Sequence, residues 1–507
     1  MKNFLILILI TLLFSCENIE DEVTKSQVIV TINPVATDDV IDAEEFLNET
    51  QTVSGTATNG NASDGDNVMI IVNTQTYNTT LSDNEFSIEI PTLDIVRDID
   101  NRIFVSVTSS DSSTGISTVK SAVRVVTTEG DLGLRNFNHP GLLVTQADFD
   151  RIIPKVNASV EPWASGWNKL IQNPHASLSY SPSPVVKLIR GGNSREEPEP
   201  DNYSTAFNDA AAAFQTAVRW KITGDATYAE KSIQILNAWA STNKSINGDS
   251  NIALAAGIYG SQFANAAEIM RDYDGWNSQD FEDFKTWIVD VFYKVSKDFI
   301  DTHYGTCISH YWANWDLANL SNILAISVLI EDDVMYAFVI NYLKNGLSNG
   351  NLNLAINYIH PDGLGQLQES GRDQGHTLLC IGLMSDIARM AYNQGDDLYS
   401  YQDNRILKGA EYAAKYNVAN QSVPFQEYYT CTAGGQTHTE ISDDGRGNVR
   451  PIWAGLYNHY VIKMGLNAPN LKFAIDNLPA EGGGGDYSPN SGGYDSLGFG
   501  TLLYTEE

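Results

Sequence analysis

The sequence predicts a two-part chain, an all-β sandwich followed by an all-α toroid, and three observations predict it. Residues 26–130 alternate apolar and polar side chains in short runs broken by Gly, Asn, Asp and Ser clusters. From Asn138 onward the apolar period lengthens to that of helices. The length, 507 residues, exceeds what one compact domain normally holds. Hydrophobic residues at 42% against charged residues at 19% describe a globular chain with ample core. The net charge of -32, from 63 acids and 31 bases, argues against a nucleic-acid partner. An anionic ligand stays open, because its site needs only local cations.

Met1-Lys2-Asn3 is a short basic start to the apolar run Phe4 to Phe14. That run is too short to span a bilayer and reads as the apolar core of a signal peptide. Cys16 follows Leu-Phe-Ser, which resembles the lipobox of bacterial lipoproteins, where the thiol is lipidated; an ordinary secretory signal is the alternative. The acids Glu17, Glu20, Asp21 and Glu22 resemble the export tag of some surface lipoproteins. Residues 1–16 are therefore set aside as a signal and 17–25 as an acidic linker. The rest is expected on the surface or periplasmic face of an outer membrane, held by its lipid. Cys307, Cys380 and Cys431 remain, an odd number without metal-ligand spacing, so buried thiols are expected.

Strands are expected at 28–32, 68–72, 86–90, 103–107 and 123–126, in a run of about seven that fits an immunoglobulin-like sandwich over 26–130. Thr52 to Ala57 with the following Asp-Gly-Asp loop resembles bacterial immunoglobulin-like modules, and no catalytic cluster falls here. The unit reads as a spacer or a glycan binder. Over 135–507 helices are expected at 145–157, 205–223, 226–242, 252–272, 278–300, 311–330, 332–347, 373–394, 398–418 and 451–464. Several are apolar on most sides, as at Ala210 to Phe214, which fits helices packed between others in an (α/α) toroid.

Three polar clusters interrupt these helices. In His310-Tyr311-Trp312-Ala313-Asn314-Trp315-Asp316, Trp312 and Trp315 form a sugar platform with Asn314 beside them, or they fill core while Asn314 caps a helix. The run Gln366 to His376 (Gln-Leu-Gln-Glu-Ser-Gly-Arg-Asp-Gln-Gly-His) opens a strongly apolar helix. Such polar density is costly if buried unpaired, so it forms a hydrogen-bonded network or lines a cleft. Arg372 and His376, four apart, share a helix face. The third cluster runs from Gly445 through Arg446, Arg450 and Pro451 to Tyr457-Asn458-His459-Tyr460, with Pro451 suited to a helix start. No G-x-S-x-G, H-E-x-x-H or phosphate-binding G-x-x-x-x-G-K is present.

These clusters resemble the alginate-lyase family of helical-toroid polysaccharide lyases, most closely polysaccharide lyase family 38. The resemblance rests on Trp312 to Asn319, Gln368 to His376, Glu411 to Asn417, and Arg450-Pro451 with Tyr457 to Tyr460. It covers roughly residues 140–505. It implies β-elimination on a uronate polymer, alginate first, with no metal or other cofactor in the chemical step. Taking the C5 proton puts charge on the C6 carboxylate, which a neutral amide and a cation stabilise; a base takes the proton and an acid protonates the leaving O4. On this resemblance Asn314 neutralises the carboxylate with Arg450 or Arg372, His376 is the base and Tyr457 the acid, with Tyr428, Tyr429 and Tyr460 as other tyrosines. Substrate-binding candidates are Trp312, Trp315, His310, Gln368, Glu369, Arg372, Arg446 and Tyr429. Several of Lys187, Arg190, Arg195, Arg219, Arg372, Arg446 and Arg450 are expected to converge on one groove. Glucuronan lyase, a helical-toroid glycoside hydrolase and a non-catalytic glycan-binding lipoprotein are the competing readings.

Overall fold

The computed structural model describes residues 28–120 apart from 40, 42–44, 46–47, 73–74, 97–101 and 110–113, and residues 136–507 apart from 308, 433–434 and 488–492. Cys16, the acidic linker and the strand expected at 123–126 lie outside the described residues. The described residues up to Lys120, apart from Gln75 and Val96, form one compact unit, and those from 136 form another.

The N-terminal unit holds β1 (Ile29–Ile32), β2 (Thr50–Thr58), β3 (Asn67–Val72), β4 (Gln75–Thr80), β5 (Glu85–Pro91), a short α1 (Thr92–Val96), β6 (Arg102–Thr108) and β7 (Thr114–Lys120). They pair as an antiparallel β1-β2-β5 sheet and a β4-β3-β6-β7 sheet. The period-two pattern does the sorting: Val53 and Ala57 of β2, Val68 and Ile70 of β3, and Val105 and Val107 of β6 are buried.

The second unit is helical: α2 (Gln146–Asn157), α3 (Trp163–Gln172), α4 (Ser204–Thr223), α5 (Ala226–Thr242), α6 (Ile252–Met270), α7 (Ser278–Ile288), α8 (Lys294–Thr302), α9 (Ala313–Ile330) and α10 (Asp333–Asn345). There follow α11 (Leu352–Ala355), α12 (Gln374–Asn393), α13 (Tyr401–Asn417), α14 (Trp453–Tyr457), α15 (Pro469–Asn477) and α16 (Gly500–Leu503). Short strands link them: β8 (Lys187–Ile189) runs parallel to β9 (Ser245–Asn247), β10 (Tyr358–Ile359) pairs with β11 (Gly365–Gln366), and β12 (Tyr428–Thr430) pairs with β13 (Gln436–His438).

Helices α4, α6, α9 and α12 are inner helices, each packed on the next, with α5, α7, α10 and α13 outside them. This explains their apolar composition on all sides. Helix α9 is the one described helix long and apolar enough to cross a membrane, yet its side chains are buried among α6, α8, α10 and α12. The α6–α9 approach needs small residues: a Cβ on Gly257 would sit 2.7 Å from the backbone carbon of Ala318. The expected helix at 278–300 is divided by a π-turn, Val289–Tyr293, and that at 451–464 continues from α14 into the π-turn Asn458–Lys463. Helices α3 and α15 were not anticipated from the sequence.

Tyr203, just before α4, lies parallel to Tyr259 of α6, ring centres 6.4 Å apart. The start of α9 is bonded to the residues leading into α12, as described next.

Candidate active site

The first backbone N–H groups of a helix have no partner within it. At α9 the polar run before α12 supplies partners: Ala313 N donates to Gln368 Oε1 at 3.0 Å and Asn314 N to Glu369 Oε1 at 3.1 Å. The other Glu369 oxygen accepts from Arg372 Nη1 at 3.1 Å. Glu369 is fully buried, and burial pushes its carboxyl up, opposed chiefly by the Arg372 guanidinium. One carboxylate thus fixes Arg372 against the start of α9.

Asp373 caps α12. Its Oδ1 accepts the backbone N–H of His376 at 2.8 Å, and its Oδ2 lies 2.6 Å from His376 Nδ1. Burial alone would raise the Asp373 carboxyl, but the His376 ring and N–H and the Arg372 guanidinium outweigh it and hold it below the usual carboxylate range. His376 Nε2 is 3.4 Å from Arg372 Nη2, and the side chain is 38% exposed, open to an incoming ligand. The Arg372 guanidinium lies over Trp312, 5.0 Å from the ring centre. Asn314 is buried, and its side-chain oxygen has no hydrogen-bond partner.

The β12–β13 hairpin closes one side. His438 stacks on Tyr428 at 4.9 Å and meets Trp312 edge-on at 5.4 Å. Its Nδ1 lies 3.2 Å from the Gly371 carbonyl, and burial lowers its affinity for a proton. The Tyr428 hydroxyl donates to the Gln368 carbonyl and accepts from Gly371 N at 3.1 Å; burial pushes it well above the usual phenol range. A disulfide between Cys307 and Cys431 ties the loop before α9 to the end of this hairpin, and Thr432 Oγ1 donates to the His310 carbonyl at 2.6 Å. The expectation of buried thiols is corrected for Cys307 and Cys431 and holds for Cys380.

The fold thus gathers Trp312, Asn314, Gln368, Glu369, Arg372 and His376, with His310 and Tyr429 on the adjoining walls. It does not gather the rest. Trp315 does not share a platform with Trp312, since it packs on Tyr311 and Phe299 instead. Glu369 is in the cluster but, against the expectation that it touches substrate, is sealed from solvent and holds its neighbours instead. Tyr457 lines a separate pocket with Trp453, Ile462 and Leu478, and Tyr460 is buried with its hydroxyl on the Tyr399 carbonyl. Arg446 stacks on Tyr416 at 3.8 Å and pairs with Asp443. Arg450 is buried against Asp495 at 2.9 Å.

Three of the remaining expected cations are engaged by protein neighbours. Arg190 lies over Tyr203 and bonds the Tyr259 hydroxyl, Lys187 is held by Glu197 and Glu199, and Arg219 lies over Tyr228. His438 was missed, since a lone histidine in the polar stretch Gln436 to Thr439 carries no periodic signal.

Among solved structures, alginate lyase A1-III from Sphingomonas species A1 aligns with 75% of this chain and 100% of its own, at 16% identity and a TM-score of 0.50. An alginate lyase from Bacteroides ovatus aligns with 73% of this chain and 100% of its own, at 14% identity and a TM-score of 0.50. At these identities the likeness is one of fold. A bacterial immunoglobulin-like domain of the M. primoryensis ice-binding adhesin is 35% identical over 18% of this chain and 91% of its own, at a TM-score of 0.17. No curated protein matches. The sequence model of the alginate lyase family matches residues 162–423, just over half of the chain, and that stretch carries the Asn314–Glu369–Arg372–His376 cluster. The chain belongs to the alginate lyase family and is a polysaccharide lyase.

Proposed function

We propose that the chain cleaves a 1,4-linked uronate polysaccharide, alginate foremost, by β-elimination that leaves an unsaturated uronate at the new end. The observation that carries this reading is the Asp373–His376 pair beside Arg372. An ionised Asp373 accepts from Nδ1–H, so His376 keeps an unprotonated Nε2 that serves as the base for the C5 proton. Arg372, aided by the Asn314 amide, takes the charge that grows on the C6 carboxylate, the part a metal plays in other chemistries. Tyr428 stands beside the cluster and burial keeps it protonated; the acid role proposed for Tyr457 passes to it, its hydroxyl turning from the Gln368 carbonyl to O4 when substrate is bound. A lipid on Cys16 would hold the enzyme at the outer membrane.

The test is ultraviolet absorbance of unsaturated uronate from polymannuronate, polyguluronate, glucuronan and pectate, each with chelator present. Absorbance rising on one polymer and lost in His376→Ala supports the reading and names the substrate. Loss in Tyr428→Phe as well assigns the acid. Activity that survives Tyr428→Phe means that His376 itself returns the proton to O4, which suits mannuronate, where both groups share one face of the ring. New reducing ends without absorbance would make the chain a hydrolase.

A further inference from the structure

Beside the reactive cluster lies a groove of about 450 Å³ whose walls are chemically unlike it. Tyr428 borders both, its hydroxyl on Gly371 and Gln368 and its side chain on the groove. No lysine or arginine lines the groove among the described residues, and its one carboxylate is Glu427. A polyuronate carries one negative charge on every ring, so a subsite for it wants cations rather than a carboxylate.

Three residues of the lining each carry a buried side-chain atom with no hydrogen-bond partner: Gln368 Nε2, Asn357 Oδ1 and Thr430 Oγ1. Gln368 is 4% exposed and Thr430 1%. Buried polar groups are nearly always paired, so unpaired ones in a groove wall point to an absent partner. A donor, an acceptor and a hydroxyl that does both match sugar hydroxyls, which also do both. At the rim Tyr358 and Tyr429 are 39% and 63% exposed, giving apolar ring faces with polar tips.

We propose that this groove is a subsite for an uncharged sugar ring, so that beyond a pure polyuronate the chain also accepts a uronate polysaccharide with a neutral sugar near the cleaved unit. The inference about the substrate rests on the lyase reading above; binding in the groove is measurable without it. The test uses the full chain carrying His376→Ala to stop turnover, titrated calorimetrically with a β-1,4-mannuronate hexamer and with its carboxyl-reduced counterpart, β-1,4-mannohexaose.

The neutral hexamer is expected to bind. Tyr358→Ala with Tyr429→Ala should weaken it about tenfold, and Thr430→Val, which keeps the volume and removes the hydroxyl, about fivefold. Arg372→Ala should leave the neutral hexamer unaffected and weaken the charged one. An unchanged melting temperature separates these effects from misfolding. No binding of the neutral hexamer, or binding indifferent to the tyrosine and threonine changes, overturns the proposal. Affinity lost only for the charged hexamer in the tyrosine variants would make the groove an ordinary uronate subsite and also overturn it. Neutral binding without ultraviolet absorbance from the unsubstituted chain would keep the groove and sink the lyase reading, so the two fail separately.

Discussion

Asp373 holds His376 twice, through the backbone N–H at 2.8 Å and through ring Nδ1 at 2.6 Å. The residue that starts α12 is therefore also the residue that sets which ring nitrogen of His376 carries the proton.

These roles separate by substitution. Asparagine caps helices as well as aspartate, so Asp373→Asn should leave the melting temperature nearly unchanged. Its amide, however, can donate to Nδ1 and move the proton to Nε2, where the ring is no longer a base. kcat should fall about a hundredfold or more with KM little changed. Asp373→Ala should show the same kinetic loss and also lose about 1 kcal/mol of stability. Equal kcat in wild type and Asp373→Asn would remove Asp373 from the mechanism.

Glu481 gives a stability profile with the opposite slope from an ordinary surface acid. Its Oε1 accepts the N–H groups of Trp453 and Ala454 at the start of α14, while its Oε2 is buried without a partner. Burial raises its carboxyl from 4.5 to about 7, and Asp386, which lines the same small cavity, is raised likewise. An acid with a raised folded pKa holds its proton more tightly when folded. Its stabilising effect is full below the unfolded value and is lost as pH rises to about 7. Denaturant melts should therefore show stability falling from pH ~4.5 to ~7, by an amount on the order of 3 kcal/mol for Glu481. Glu481→Gln, which keeps the Oε1 acceptor, should flatten that slope.

The Cys307–Cys431 crosslink closes a loop of 124 residues in sequence. Serine at both positions should lower stability by about 2–4 kcal/mol. It should also raise KM, because the loop carrying His310 is a wall, and lower kcat, because the hairpin carries Tyr428, while His376 and Arg372 stay in place on α12 and its approach. Kinetics on the double-serine chain with and without reductant check this, and only the wild type should respond to reductant.

Gly257→Ala tests the tightest helix contact. The added methyl meets Ala318 backbone, which cannot swing aside, so α6 and α9 must part. A loss of about 1–3 kcal/mol is expected, read as a lower melting temperature.

The frame of the protein was largely legible in its sequence. The inner helices declare themselves because a helix packed on every side needs apolar residues on every side, as α6 and α9 have. The Gln366–His376 run was legible as a site for the converse reason: polar groups at that density inside an apolar stretch must bond to one another or to a ligand, and here they bond to one another and to the start of α9. What was not legible depends on contacts between distant segments. Nothing at Cys307 predicts Cys431. Nothing in the spacing of Arg450 and Tyr457 shows that one is buried on Asp495 and the other faces the pocket beside Trp453 and Leu478. Trp312 and Trp315 share a helical spacing, but Trp312 is the residue before the first turn, where helical geometry has not begun.

The bridge from Glu369 to both α9 and Arg372 has a consequence for how this enzyme can diverge. The reacting groups hang from two helix starts that a sealed carboxylate locks together, so they belong to the scaffold. The surfaces that a polymer would slide along, the 303–312 loop and the 428–438 hairpin, are joined to each other by a crosslink and bring no ligand to Glu369. Tyr428 stays tied to the approach to α12 through Gln368 and Gly371, but new sequences grafted between Cys307 and His310, or at the far end of β12 and β13, retune what is gripped without redrawing the chemistry.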